Sequence, residues 1–183
     1  QDINNKLFKN YDVDGSRFSP ANDNIDNYLS LSVYGNSFTF GSGVKHSEAW
    51  PNILAKNINY RVYNYGVPGY GVDQAVLRFI NNKSDASKLV ILGIYPDDIE
   101  RNLTQNYSII ADNELDLFSF KPKFKIDDKQ ELKLVEIPIR ELDDIKHLEK
   151  DYKKYLKDDD LIHKYNKRLI DVKFPYSNVF YNT

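Results

Sequence analysis

Ser30-Leu31-Ser32-Val33-Tyr34-Gly35-Asn36-Ser37-Phe38-Thr39-Phe40-Gly41 runs from an apolar stretch into a turn bounded by glycines. Residues 28–34, apolar with small polar interruptions, read as a buried strand that Gly35 ends. Working outward, the same pattern recurs twice. Residues 60–65 read as a second strand, closed by Gly66-Val67-Pro68-Gly69-Tyr70-Gly71. Residues 88–95 hold the strongest apolar run, Leu89-Val90-Ile91-Leu92, which the spacing predicts as a buried strand stopped by Pro96-Asp97-Asp98. Helical spacing fills the gaps. Residues 48–57 place Trp50, Ile53, Leu54 and Ile58 on one side, with Pro51 suited to a first turn. Residues 73–82 carry Ala75, Val76, Phe79 and Ile80, and a further helix is predicted from Ile99 to about Tyr107.

The remainder is less regular. Residues 1–28 are polar, with Asp/Asn/Gly/Ser/Pro punctuation, and read as an irregular lead-in. Residues 108–130 read as a loop or short hairpin. Residues 132–137 are a fourth strand stopped by Pro138. Residues 141–156 are a charged amphipathic helix, 158–171 another helix, and 174–183 an aromatic tail. Strands alternating with helices predict an α/β fold with a parallel sheet covered on both faces. In such a sheet the residues after each strand emerge at one edge, where ligands bind. The three loops 35–43, 66–71 and 95–98 should therefore converge.

Length and charge narrow the field. The chain has 183 residues with a formal net charge of −2, and 41% of its residues are hydrophobic. That suits one domain, or two very small ones, with a core that needs no staples. Nothing in the charge points to nucleic acid or an anionic membrane. Cysteine is absent, which excludes disulfides, thiolate metal sites and a cysteine nucleophile. Methionine is absent even at position 1, so the sequence reads as processed, trimmed or a fragment. No run of about 18 apolar residues exists to span a bilayer. A removed signal peptide stays possible, and periplasmic and cytoplasmic addresses both stay open.

The loops supply the chemistry. Ser37 follows a strand and a glycine, where backbone N–H groups can face a developing negative charge. A plain turn serine is the competing reading. The lipase elbow G-x-S-x-G is not matched, because Thr39 stands where the second glycine would be. The phosphate-binding pattern ending in Gly-Lys-Ser/Thr is absent too. The three glycines of the second loop need special dihedrals or a close ligand, or they are simply a tight connection. Asp97 and Asp98 could serve as acid–base groups or metal ligands, or could cap a helix. A serine nucleophile needs a base oriented by an acid. Of the three histidines, His46 lies just beyond the first loop and His147 sits among charges on a helix. His163 follows Asp160 at a spacing that can place both groups on one side of a turn. The run Lys157-Asp158-Asp159-Asp160 reads equally as a charged helix start.

Together these residues resemble the SGNH hydrolases, the GDSL-like lipase/esterase family. The family's first block, Gly-Asp-Ser after strand one, corresponds to Gly35-Asn36-Ser37. The extension Phe38-Thr39-Phe40-Gly41-Ser42-Gly43-Val44 and the following Glu48-Ala49-Trp50-Pro51 resemble a bacterial branch. So does Asn64-Tyr65-Gly66-Val67-Pro68-Gly69-Tyr70-Gly71-Val72-Asp73-Gln74 at the second block. The resemblance runs from about Ser32 to Asn102. It implies a three-layer α/β/α sandwich with a mainly parallel, flavodoxin-like sheet, and one SGNH-like domain over 1–183 whose C-terminal part is either whole or truncated. It implies Ser37 as nucleophile, with the N–H groups of Ser37 and Gly69 in an oxyanion hole. Asn36 replaces the family's Asp. The third block, Gly-x-Asn-Asp, falls at Gly93-Ile94-Tyr95-Pro96-Asp97-Asp98, where Asp97 stands in the oxyanion or substrate-binding region without the family's Asn. The last block, Asp-x-x-His, corresponds to Asp160 and His163, or lies beyond Thr183.

The expected activity is ester hydrolysis through an acyl-enzyme on Ser37. Small acyl esters are the expected substrates, including acetyl groups on carbohydrate, with no cofactor, no metal and no nucleic-acid partner. Three alternatives remain. The same chemistry with a sugar hydroxyl as acceptor would be acetyl transfer. A degenerate domain could bind carbohydrate at the same edge, and a flavodoxin-like phosphate binder could use residues 37–43.

Overall fold

A computed structural model describes residues 11–25, 29–111, 119–148 and 150–163. The chain divides into two compact units, Gln1–Asn102 and Leu103–Thr183. The predicted helix over 158–171 runs past the described residues, and the lead-in before Tyr11 and the aromatic tail lie outside them.

In the first unit, β1 (Ser30–Tyr34) is flanked by β2 (Arg61–Asn64) and β3 (Leu89–Leu92), all parallel. Leu31 pairs with Val62 on one side and Leu89 on the other. Alternation along β1 sends side chains to opposite faces. Leu31 and Val33 pack with Val62 and with Ala55 of α2 (Trp50–Ile58). Tyr34 points the other way, packing with Tyr65 and with Ala75 of α3 (Val72–Asn81). Helices therefore cover both faces, as the strand–helix alternation predicts. The chain leaves β1 through α2 to one neighbour and crosses back through α3 to the other. The direction of winding thus reverses between β1 and β3, and in open sheets of this kind ligands bind beyond the carboxyl ends of the strands at such a point.

The Leu89–Leu92 run corrects the sequence reading. It is a strand, but not a buried one: Leu89 is 57% exposed and Val90 and Leu92 are both 38% exposed. β3 lies at the edge of the sheet, and an apolar run reports strand preference without reporting which neighbours cover it.

The second unit has its own core of Ile109, Phe120, Leu148, Tyr155, Leu156 and Leu161. The predicted fourth strand is not part of the parallel sheet. β4 (Lys123–Ile126) and β5 (Leu132–Val135) form an antiparallel hairpin. The turn uses Asp127, whose Oδ1 accepts from the N–H groups of Lys129 and Glu131 at 2.9 Å each. The single helix predicted over 141–156 is two short ones, α5 (Leu142–Leu148) and α6 (Tyr152–Tyr155). No helix among the described residues is long and apolar enough to cross a membrane.

Candidate active site

Ser37 opens a single helical turn, α1 (Ser37–Phe40), directly after β1. Asn36 caps it: its Oδ1 accepts from the N–H of Phe38 at 2.8 Å. Gly41, at φ 81°, ends the turn, and its N–H bonds back to the Ser37 carbonyl at 2.9 Å. The two ends of the turn are thus set by the two residues the sequence motif supplies, Asn and Gly. Ser37 is half-buried, and among the described residues nothing hydrogen-bonds its hydroxyl or accepts from its backbone N–H.

The second loop is tied to the first by backbone. The N–H of Val67 donates to the Gly35 carbonyl at 3.0 Å. Buried Asn64 donates from Nδ2 to the carbonyls of Thr39 and Phe40 at 3.1 Å each, and its Oδ1 accepts from Gly66 N–H at 3.0 Å. Gly69 adopts φ 86°, a conformation that favours glycine. Its N–H, like that of Ser37, donates to no described residue.

The third loop joins through Asp98. Asn36 Nδ2 donates to both Asp98 oxygens, at 2.9 and 3.0 Å, with each residue 1% exposed. Asp98 also accepts from Tyr95 N–H at 2.9 Å and from Arg101 at 3.2 Å. Arg101 donates in turn to the Tyr70 carbonyl in the second loop at 3.1 Å. One carboxylate therefore organises all three loops, and the predicted convergence holds. Of the Asp97–Asp98 pair, the buried member is Asp98, which also opens α4 (Asp98–Leu103). Asp97 is exposed, and its carboxylate has no partner among the described residues. Asn36, with both ends of its carboxamide engaged, works inside the protein.

Arg17, in the stretch read as lead-in, is only 5% exposed. It donates to the carbonyls of Phe40, Gly41 and Val44, the last two at 2.6 and 2.7 Å, and to His46 Nδ1 at 3.2 Å. Its guanidinium lies 4.6 Å from the Phe40 ring centre. The carbonyls left over at the end of α1 thus find their donors in one fork. A cavity of about 360 Å³ lies beside this clamp, lined by Tyr11, Phe40, Lys45, His46 and Pro68 among others. His46 is committed to this structure. Burial, with the neighbouring Arg17 charge, lowers its pKa against the opposing pull of a Phe18 backbone hydrogen bond.

No protein-family model matches the sequence, and no curated protein matches it. Solved structures do. Part of the chain is similar to AlinE4, an SGNH-hydrolase family esterase, at 24% identity and TM-score 0.37, over 43% of this chain and 46% of the esterase. It is similar to a protein assigned to the lipolytic G-D-S-L family from Desulfitobacterium hafniense DCB-2 at 21% identity and TM-score 0.35, over 46% of this chain and 43% of the other. The chain thus spans less than half the length of each.

The remaining candidates lie in the second unit. Asp160 Oδ2 accepts from Lys123 Nζ at 2.5 Å. Lys123, fully buried on β4, also donates to the carbonyls of Leu103 and Asp158 at 2.9 and 3.0 Å. His163 Nδ1 sits 3.2 Å from the backbone carbonyl of Asp160, leaving the carboxylate to the lysine. His147 is exposed on α5. Arg101 and Arg17 escaped the motif reading, whereas Asp98 entered it as one of the two third-loop acids and Asn64 as the first residue of the second block. For Asp98 a signal existed, its place beside Asp97 at a strand end. For Arg17 the only signal was a lone arginine between Ser16 and Phe18 in a polar stretch.

Proposed function

We propose that this chain is a serine ester hydrolase of the SGNH type, acting on small acyl esters such as acetyl groups on carbohydrate. The observation that carries the reading is that the backbone N–H groups of Ser37 and Gly69, on two loops tied together by Val67 N–H and the Gly35 carbonyl, and the Ser37 hydroxyl have no hydrogen-bond partner among the described residues. Donors left open at the ligand edge of a parallel sheet suit an oxyanion. In the proposed reaction Ser37 Oγ attacks the acyl carbon while its proton passes to a histidine. The carbonyl oxygen, now negative, takes the N–H groups of Ser37 and Gly69. Collapse expels the alcohol, which leaves with the proton from the imidazolium, and an acyl-enzyme remains. Water then attacks, giving its proton to the same histidine, and the acid departs as Ser37 is restored.

The base in this proposal is a histidine; of the predicted Asp160–His163 pair, His163 meets the Asp160 backbone carbonyl and not its carboxylate, which Lys123 holds. His46 is set aside because Arg17 occupies its Nδ1. Asn36 is assigned to hold the turn, and Asp97 to meet the substrate. The third donor, an asparagine in the family's pattern, has an aspartate in its place, so two N–H groups carry the hole.

The test is hydrolysis of p-nitrophenyl acetate by wild type and Ser37→Ala, with fluorophosphonate labelling in parallel. Wild-type turnover lost by at least about a thousandfold in the variant supports the nucleophile. Equal rates, with no label on Ser37, overturn it. A carbohydrate-binding domain without turnover is the second reading, favoured by one observation: Asp160 is engaged by Lys123 rather than by an imidazole.

A further inference from the structure

The residue after the proposed nucleophile is a large exposed aromatic. Phe38 is 59% exposed, yet its position is fixed. Its N–H donates to Asn36 at 2.8 Å, and its carbonyl accepts from Trp50 Nε1 at 3.1 Å. Its ring stacks on Tyr95 with centres 4.2 Å apart and planes 20° from parallel. Phe38 comes from the segment after β1 and Tyr95 from the loop after β3, so the pair joins the two segments at the point where the winding of the sheet reverses. Ile94, next to Tyr95, is 68% exposed. Apolar surface of this kind costs about 25 cal/mol per Å² against burial, and contiguous apolar surface held out to solvent marks a contact site.

We infer that the Phe38–Tyr95 stack is a sugar subsite: a platform for the pyranose ring of a glycan, with Asp97 accepting from its hydroxyls. One face of Phe38 is spent on Tyr95 and its exposed side offers a flat, apolar surface. Such a surface matches the C–H face of a pyranose, whereas a flexible acyl chain needs walls. The exposed carboxylate of Asp97, two residues past Tyr95 and without a partner among the described residues, supplies the acceptor that hydroxyl groups at the ring's rim require. This deepens the ester-hydrolase reading by assigning the residues that would hold the sugar side of the ester, and it rests on that reading for where the acyl carbon sits.

Binding is measured separately from turnover. Titration calorimetry of the full chain carrying Ser37→Ala, with xylohexaose, chitohexaose and octanoate as probes, decides the matter. The expected result is binding of at least one of the two oligosaccharides. Adding Phe38→Ala should weaken it about tenfold or more, Phe38→Tyr should retain it, and Asp97→Asn should weaken it by a smaller factor. Oligosaccharide binding that Phe38→Ala leaves unchanged overturns the inference. So does binding of neither oligosaccharide, or binding of octanoate alone. A wild-type protein that hydrolyses no ester but binds oligosaccharide through Phe38 would reject the nucleophile and keep the platform.

Discussion

Asn36 presents its amide nitrogen to both oxygens of Asp98, at 2.9 and 3.0 Å, with neither side chain open to solvent. An aspartate at position 36 would set two carboxylates face to face. One would then have to hold a proton. The neutral amide removes that conflict and supplies a donor.

The first prediction follows directly. Asn36→Asp should destabilise the first unit by about 2–3 kcal/mol near neutral pH. The paired carboxylates would titrate above their unfolded values, so the native state keeps its full stability below the unfolded pKa and loses it as pH rises through the folded one. Thermal melts of this variant should improve on acidification. Asn36→Asp with Asp98→Asn should recover most of the loss at pH 7. A melt independent of pH would argue against the carboxylate pair.

Arg17 closes the far end of the same turn. Arg17→Ala takes a donor from three carbonyls and from His46 Nδ1, and should cost roughly 2–4 kcal/mol in urea unfolding. Arg17→Lys keeps the charge but loses the fork, and should fall between wild type and alanine. Lysine equal to wild type would mean that charge alone matters.

His46 makes stability depend on pH in the opposite sense. Its pKa in the folded protein lies below the ordinary 6.5. Between those values the unfolded chain binds more protons, so stability is complete above 6.5 and declines as pH falls below it. His46→Gln should flatten that limb of the profile, as read from melting temperature between pH 7.5 and 5. An unchanged slope would assign the acid sensitivity to another group.

Gly93 touches the same turn from β3. A Cβ there would run into Thr39 Oγ1, while Tyr34 O lies at an ordinary 3.6 Å. Gly93→Ala should therefore destabilise by about 1–3 kcal/mol, and Thr39→Ala in the same chain should relieve part of it. Strict additivity of the two changes would show that they do not meet.

The order of elements in the first unit was legible because each strand ends in a glycine or proline and each helix has its period. The Asn36–Ser37–Gly41 turn was legible for the same local reason. What escaped depends on distance along the chain. Arg17 reaches carbonyls more than twenty residues away, and nothing near Ser16 or Phe18 announces those acceptors. The exposure of β3 escaped because Leu89-Val90-Ile91-Leu92 carries no record of its neighbours. The hairpin of β4 and β5 was half legible: the Asp127 turn has its chemistry, but a strand ending at Pro138 is equally compatible with a parallel sheet. Asp98 was visible as one of two acids, and only packing decides which of two adjacent side chains turns inward.

Among the described residues no strand pairs with the outer edge of β3, and this bears on how the protein behaves in a test tube. A strand that is apolar along both faces, with one row of backbone donors and acceptors unpaired within its sheet, is a template for another strand. Lys88, immediately before it, is a charge that guards against such pairing. Concentrated stocks should therefore cloud before dilute ones, by strand pairing and not by unfolding, and a lysine placed at Val90 would serve as the simplest solubilising change.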